Sequence, residues 1–133
     1  MEKDIKITID TPKFSFIKYK DNGKMDYPSP IPFTVNYGRA IEIKSDEGDD
    51  ADVVVLGKTI KKGISKIVPV VGLIKFIDRG IDDPKYICSF KPVSLVDKIN
   101  IVIFFTLFSI FKSILNKLRG KKGETKFNGI EIY

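Results

Sequence analysis

The chain has 133 residues, with 23 Lys and Arg against 17 Asp and Glu, a formal net charge of +6, 43% hydrophobic residues and 30% charged ones. That balance predicts one globular domain with a real core and excludes an intrinsically disordered chain. There is no histidine and a single cysteine, Cys88, which excludes an intrachain disulfide, a His-dependent catalytic triad and a His- or Cys-ligated zinc site, so any metal must be held by oxygen ligands.

The start, Met1-Glu2-Lys3-Asp4, is charged and lacks the apolar core of a secretory signal, and a cytoplasmic protein with Cys88 buried and reduced is expected. Ile5, Ile7 and Ile9 alternate with Lys6, Thr8 and Asp10, the period of a half-buried strand, which Pro12 ends. Phe14, Phe16, Lys18 and Tyr19 predict a second strand turning at Asp21-Asn22-Gly23. The prolines of Tyr27-Pro28-Ser29-Pro30-Ile31-Pro32 exclude helix and central strand and predict an extended loop. Arg39 to Lys44 reads as a short strand and Asp52 to Leu56 as a buried one. Beyond the basic link Lys58 to Lys62, the run Ile67 to Phe76 is β-rich, with Gly72 as a bulge. A second acidic turn, Asp78 to Lys85, precedes a strand at Tyr86 to Phe90.

Ser94 with Asp97 three residues on has the form of a capping box. It predicts a helix to about Arg119, with Gly120 as its C-cap. The stretch Ile99 to Phe111 carries no charge, yet it is shorter than the ~20 apolar residues of a membrane span, so no membrane is expected. A surface helix shows one apolar stripe, whereas this one is apolar nearly all round. The extra face predicts a covering surface, another subunit of a homo-oligomer. Thr125 to Tyr133 reads as a closing strand. Many short strands with one C-terminal helix predict a mainly β chain with α, a small closed β-barrel with the long helix packed on it.

The stretch Ser45 to Asp52 concentrates Asp46, Glu47, Asp49, Asp50 and Asp52 directly before Val53-Val54-Val55-Leu56. Crowded carboxylates repel and need a cation. One reading is a hard divalent ion such as Mg²⁺ together with phosphate; the other is a solvated acidic turn. The EF-hand spacing is absent. The excess of Lys and Arg admits phosphate or nucleic-acid ligands, or simply a basic surface. No nucleic-acid motif is visible, so no nucleic-acid partner is expected.

Three stretches in order, Asn36-Tyr37-Gly38, Glu47-Gly48-Asp49-Asp50-Ala51-Asp52-Val53, and Val71-Gly72-Leu73 with Asp78, Asp83 and Lys85, resemble the soluble family I inorganic pyrophosphatases. The resemblance implies an OB-like barrel and hydrolysis of pyrophosphate to two phosphates by metal-activated water, with several Mg²⁺ ions per site. It implies that Asp49 activates the water with metal, and that Glu47, Asp49, Asp52, Asp78 and Asp83 hold metal. It also implies that Asp10 is an outer-shell acid, and that Lys18, Tyr37, Lys85 and Lys112 bind phosphate. The chain departs from the family pattern at Lys20 and Arg79, which stand where acids are usual, and at Met25, where an arginine is usual. Phe33 and Phe111 stand in place of tyrosines. The departures leave a rival reading, a weak or inactive descendant that serves as a phosphate- or metal-binding or interaction module.

Overall fold

Period-two runs with one apolar face must pair and then bury that face, and here they do so by closing on themselves. The protein is described by a computed structural model covering residues 3–45 and 48–133. Its elements are β1 (Lys3–Thr11), β2 (Ile17–Tyr19), β3 (Met25–Pro28), β4 (Asn36–Lys44), β5 (Asp50–Val55), β6 (Ser65–Asp78), β7 (Ile81–Asp82), β8 (Lys85–Cys88), α1 (Leu95–Leu118) and β9 (Lys126–Ile132). Five strands run β1-β4-β5-β8-β6, and β6 returns to pair with β1, so the barrel is closed. Every barrel pairing is antiparallel except β5 with β8. Closure removes the open edges that would otherwise invite pairing with other chains.

Strand β6 makes this possible by its length. Its first half pairs with β1, its middle with β8, and its end with β7 and β9. The expected irregularity at Gly72 is present as a register shift between Val70 and Gly72. A Cβ at Gly72 would lie 2.5 Å from the Glu131 carbonyl oxygen, so a side chain there would push β9 off the barrel. Gly38 is tighter still, since its Cβ would meet the Thr8 carbonyl oxygen at 2.0 Å.

The proline-rich loop is partly strand. Tyr27 and Pro28 belong to β3, which pairs with β2 in a separate two-stranded sheet, where an edge position spares Pro28 the N–H it lacks.

Alternation along the strands builds two cores. Ile5, Ile7, Ile9, Val53, Val55, Val68 and Cys88 fill the barrel. The opposite faces, with Val54, Ile74, Phe76 and Ile87, pack under α1 against Ile101, Phe104, Phe105 and Phe108. The helix starts as expected: Ser94 Oγ accepts from the Asp97 N–H, and the Asp97 carboxylate accepts from the Ser94 N–H. Arg119 is the C-cap, and Gly120 follows at φ 71°. The outward face leaves Val96, Ile103, Leu107, Ile110 and Ile114 exposed. The whole helix, unlike its uncharged middle alone, is long and apolar enough to cross a membrane. Its aromatic side is bound to the barrel core, the arrangement of a helix that covers a sheet.

Candidate active site

On β5 the period of two sends Ala51, Val53 and Val55 into the barrel and Asp50 and Asp52 outward. Pairing then sets Arg39 of β4 and Lys85 of β8 on either side of Asp52. Asp10 at the end of β1 and Lys18 of β2 approach the same place. Together with Lys20, Asp26, Tyr37, Asp49 and Asp50 they line an open cavity of about 280 Å³.

Lys85 is the anchor. It is 1% exposed, and its Nζ donates to Asp52 at 2.8 Å and to Asp83 at 3.0 Å. The ammonium also lies 4.8 Å from the Phe76 ring centroid and 5.6 Å from that of Tyr37, where the ring faces favour a cation. Burial would lower the pKa of Lys85, but Asp52 and Asp83 outweigh it and hold the amine well above its usual value. Two of its three N–H groups are therefore committed to carboxylates, which leaves one for any phosphate.

Tyr37 Oη donates to the same Asp52 oxygen at 2.8 Å. Burial and the negative charge of Asp52 push its phenol upward. Burial also works to raise Asp52, but Lys85 and the bonds from Lys85 and Tyr37 prevail and hold it below the usual carboxylate value. At Asp83 burial wins over Lys85, and Asp52 adds to the upward shift. The pair thus has one firmly ionised member and one softer one.

Arg39 was not singled out from the sequence, and it sits at the centre of the acidic lobe. Its guanidinium donates to Asp10 and to the Asp21 carbonyl, and lies 3.5 Å from Asp50. Burial nevertheless raises the Asp10 carboxyl. The signal available in the sequence was a charged residue directly after Tyr37-Gly38, on the strand face shared with Tyr37.

The cationic lobe holds Lys18, 3.6 Å from Asp26 and 5.3 Å from the Tyr37 ring centroid, and Lys112, whose Nζ lies over the Tyr27 ring. Burial lowers the pKa of Lys112. Asp26 also contacts Arg119 of the helix end at 3.4 Å. Burial would raise Asp26, but Lys18, Lys112 and Arg119 bring it below its usual value.

Asp78 is differently placed. One oxygen accepts from Asn116 at 2.9 Å and from the Thr125 hydroxyl at 3.0 Å, and the other lies 3.8 Å from Arg79. It ties β6 to the helix and to the start of β9. Glu47 lies outside the described residues. Asp49 is exposed at the cavity mouth, and among the described residues no ion pair engages it. Met25 is 56% exposed and does not line the cavity, and Phe33 is fully buried against Phe104 and Phe108.

As donors these acids fit a hard divalent cation, since each offers only oxygen. Asp49 and Asp52 share the cavity with Asp10, Asp21, Asp26 and Asp50. Among the described residues no group of three acids is gathered around one point.

The sequence model described as inorganic pyrophosphatase matches residues 2–103. No curated protein sequence is significantly similar to the chain. Solved structures are similar in fold. The inorganic pyrophosphatase from Thermus thermophilus superposes with a TM-score of 0.78 at 23% identity, covering 97% of this chain and 82% of that one. That from Neisseria gonorrhoeae gives 0.75 at 22%, covering 97% and 82%, and that from Coxiella burnetii gives 0.72 at 23%, covering 97% and 86%.

Proposed function

The chain belongs to the inorganic pyrophosphatase family, and on that premise we propose that it hydrolyses pyrophosphate to two phosphates in the cavity beside Asp52, with Mg²⁺ as its cofactor. The observation that carries this reading is one open cavity lined both by carboxylates (Asp10, Asp49, Asp50, Asp52) and by cations (Lys18, Lys20, Arg39). Lys112 and Lys85 lie next to it. A polyanion with four negative oxygens needs that pairing of a cation-holding side and a phosphate-holding side.

Asp49, Asp52 and Asp83 would hold Mg²⁺, with Glu47 given the same role by the family resemblance alone; when bound, the ion neutralises phosphate charge and makes water more acidic. The protein's own groups do the rest. Asp49, the open carboxylate, takes the proton from the attacking water. Tyr37 and Lys85 fix the Asp52 carboxylate in one orientation, ionised and ready. Lys18, Lys112 and the third N–H of Lys85 hold phosphate oxygens, and no protein nucleophile takes part. Asp10 acts from further out through Arg39, and Asp78 acts through the turn it anchors, next to Asp83.

The exposed apolar face of α1 supports a homo-oligomer in which a second copy covers Leu107, Ile110 and Ile114. We place the protein in a reducing, cytoplasmic setting, in keeping with its single, buried cysteine, Cys88. The test is phosphate release from pyrophosphate with and without Mg²⁺, for the protein and its Asp49→Ala variant. Metal-dependent release that the variant loses is expected; release unchanged by the substitution would remove Asp49 from its role.

A further inference from the structure

Tyr27 carries a hydroxyl that no described residue uses. The residue is 3% exposed, and among the described residues its Oη is one of two buried side-chain atoms without a hydrogen-bond partner, with Thr34 Oγ1. Burying a hydroxyl unpaired is costly, and native proteins rarely leave one so. The position is also held firmly. Tyr27 stands opposite Lys18 in the β2–β3 register, so the two side chains share a face. Its ring packs on Phe111 with centroids 5.3 Å apart, and Lys112 Nζ lies 5.6 Å from its centroid.

Its ring belongs to the apolar cluster under α1, while charged groups of the site act on its hydroxyl. The charges that act on the phenol are Asp26, Lys85, Arg119 and Asp78, and Tyr37 is itself influenced by Tyr27. Burial first, then Asp26, holds the phenol well above its usual range, so it keeps its proton and remains a donor.

We propose that the Tyr27 hydroxyl is a substrate-binding donor, giving its proton in a hydrogen bond to a phosphate oxygen that Lys18 and Lys112 also hold. This rests on the phosphate-hydrolysing reading above. The unpartnered state is then the ligand-free half of a site whose acceptor arrives with the substrate. The neighbouring Phe111 ring, which has no oxygen, supplies only packing.

The experiment compares the protein with Tyr27→Phe, which removes the oxygen and nothing else. Equilibrium binding of inorganic phosphate and of the non-hydrolysed analogue imidodiphosphate is measured by calorimetry with Mg²⁺ present, beside thermal melting without ligand and KM for pyrophosphate. The expected result is an unchanged or raised Tm, with affinity for imidodiphosphate about ten- to a hundredfold weaker and KM raised, as for loss of a hydrogen bond to a charged group. A lowered Tm, or failure to fold, with affinity unchanged in whatever folds would overturn the proposal by making the hydroxyl structural. Unchanged values throughout would overturn it as well. Binding without turnover in the parent protein would defeat the hydrolase reading alone, and the affinity difference would still decide the role of Tyr27. Turnover in the parent with equal affinities would defeat the Tyr27 proposal alone, and a parent that binds neither compound would defeat both.

Discussion

At Asp52 a single carboxylate serves two neighbours, the Tyr37 hydroxyl and the Lys85 ammonium, and this makes its removal more than a loss of function. Asp52→Asn leaves a fully buried ammonium with Asp83 alone, so we expect a stability loss of about 1–3 kcal/mol together with loss of activity. A melting curve and a phosphate-release assay on the same sample check both. The pH dependence follows in sign. Asp52 is held below the usual carboxylate value, so its stabilisation is present above about pH 4 and is lost as the pH falls through its folded value. Asp83 and Asp10 are raised and favour the folded state in their protonated forms, so they soften that loss without reversing it at Asp52. The gap in Tm between the protein and Asp52→Asn should therefore narrow from pH 6 to pH 3; a constant gap would count against an ionised Asp52. Arg39 is the other decisive side chain. It neutralises Asp10 and Asp50 from within, and its replacement in Arg39→Gln should strengthen binding of Mg²⁺ or Mn²⁺ by about tenfold or more. Weaker metal binding in that variant would assign Arg39 to the support of the site's shape.

At the scale of the element, α1 is held by aromatic packing on one side only. Phe105 is fully buried and meets the rings of Phe76, Phe104, Phe108 and Phe127. Phe105→Ala should cost about 3–5 kcal/mol, seen as a large fall in Tm. Lys112 and Arg119 ride on this helix, so a helix loosened in this way should also raise KM for pyrophosphate before activity disappears. The strands tell a complementary story, since β6 alone joins β1, β8, β7 and β9. Its acidic end at Asp78 is fastened by Asn116 and Thr125, which couples the turn bearing Asp83 to the helix.

At the scale of the whole molecule, the five-stranded barrel is closed, with β9 and the β2–β3 pair outside it, and the apolar outer face of α1 is the surface proposed to join subunits. Ile110 is 55% exposed and Leu107 45%, positions where an aspartate would not disturb the monomer's core. Ile110→Asp should lower the mass in solution, measured by light scattering, without lowering the helical signal. An unchanged mass would mean that this face does not join subunits.

Local sequence patterns by themselves determined the helix and most of the strands, though not β3 or β7. Ile5, Ile7 and Ile9 alternate, and Ser94 with Asp97 caps the helix, because such signals act over a few residues and need no distant partner. They also located the acidic segment and the order of motifs that marks the family. Tertiary structure alone decided what those residues meet. Lys85 was expected to grip phosphate, and its burial between Asp52 and Asp83 follows from the parallel pairing of β5 with β8, which brings residues 33 apart in sequence into one ion pair. Arg39 entered the acidic lobe through its register opposite Asp52 and its reach to Asp10. Tyr27, which sequence alone assigned to a proline-bound loop, became a buried phenol beside Lys18 because β2 and β3 pair. Propensity and period are properties of neighbours along the chain, whereas charge pairing and burial are properties of neighbours in space.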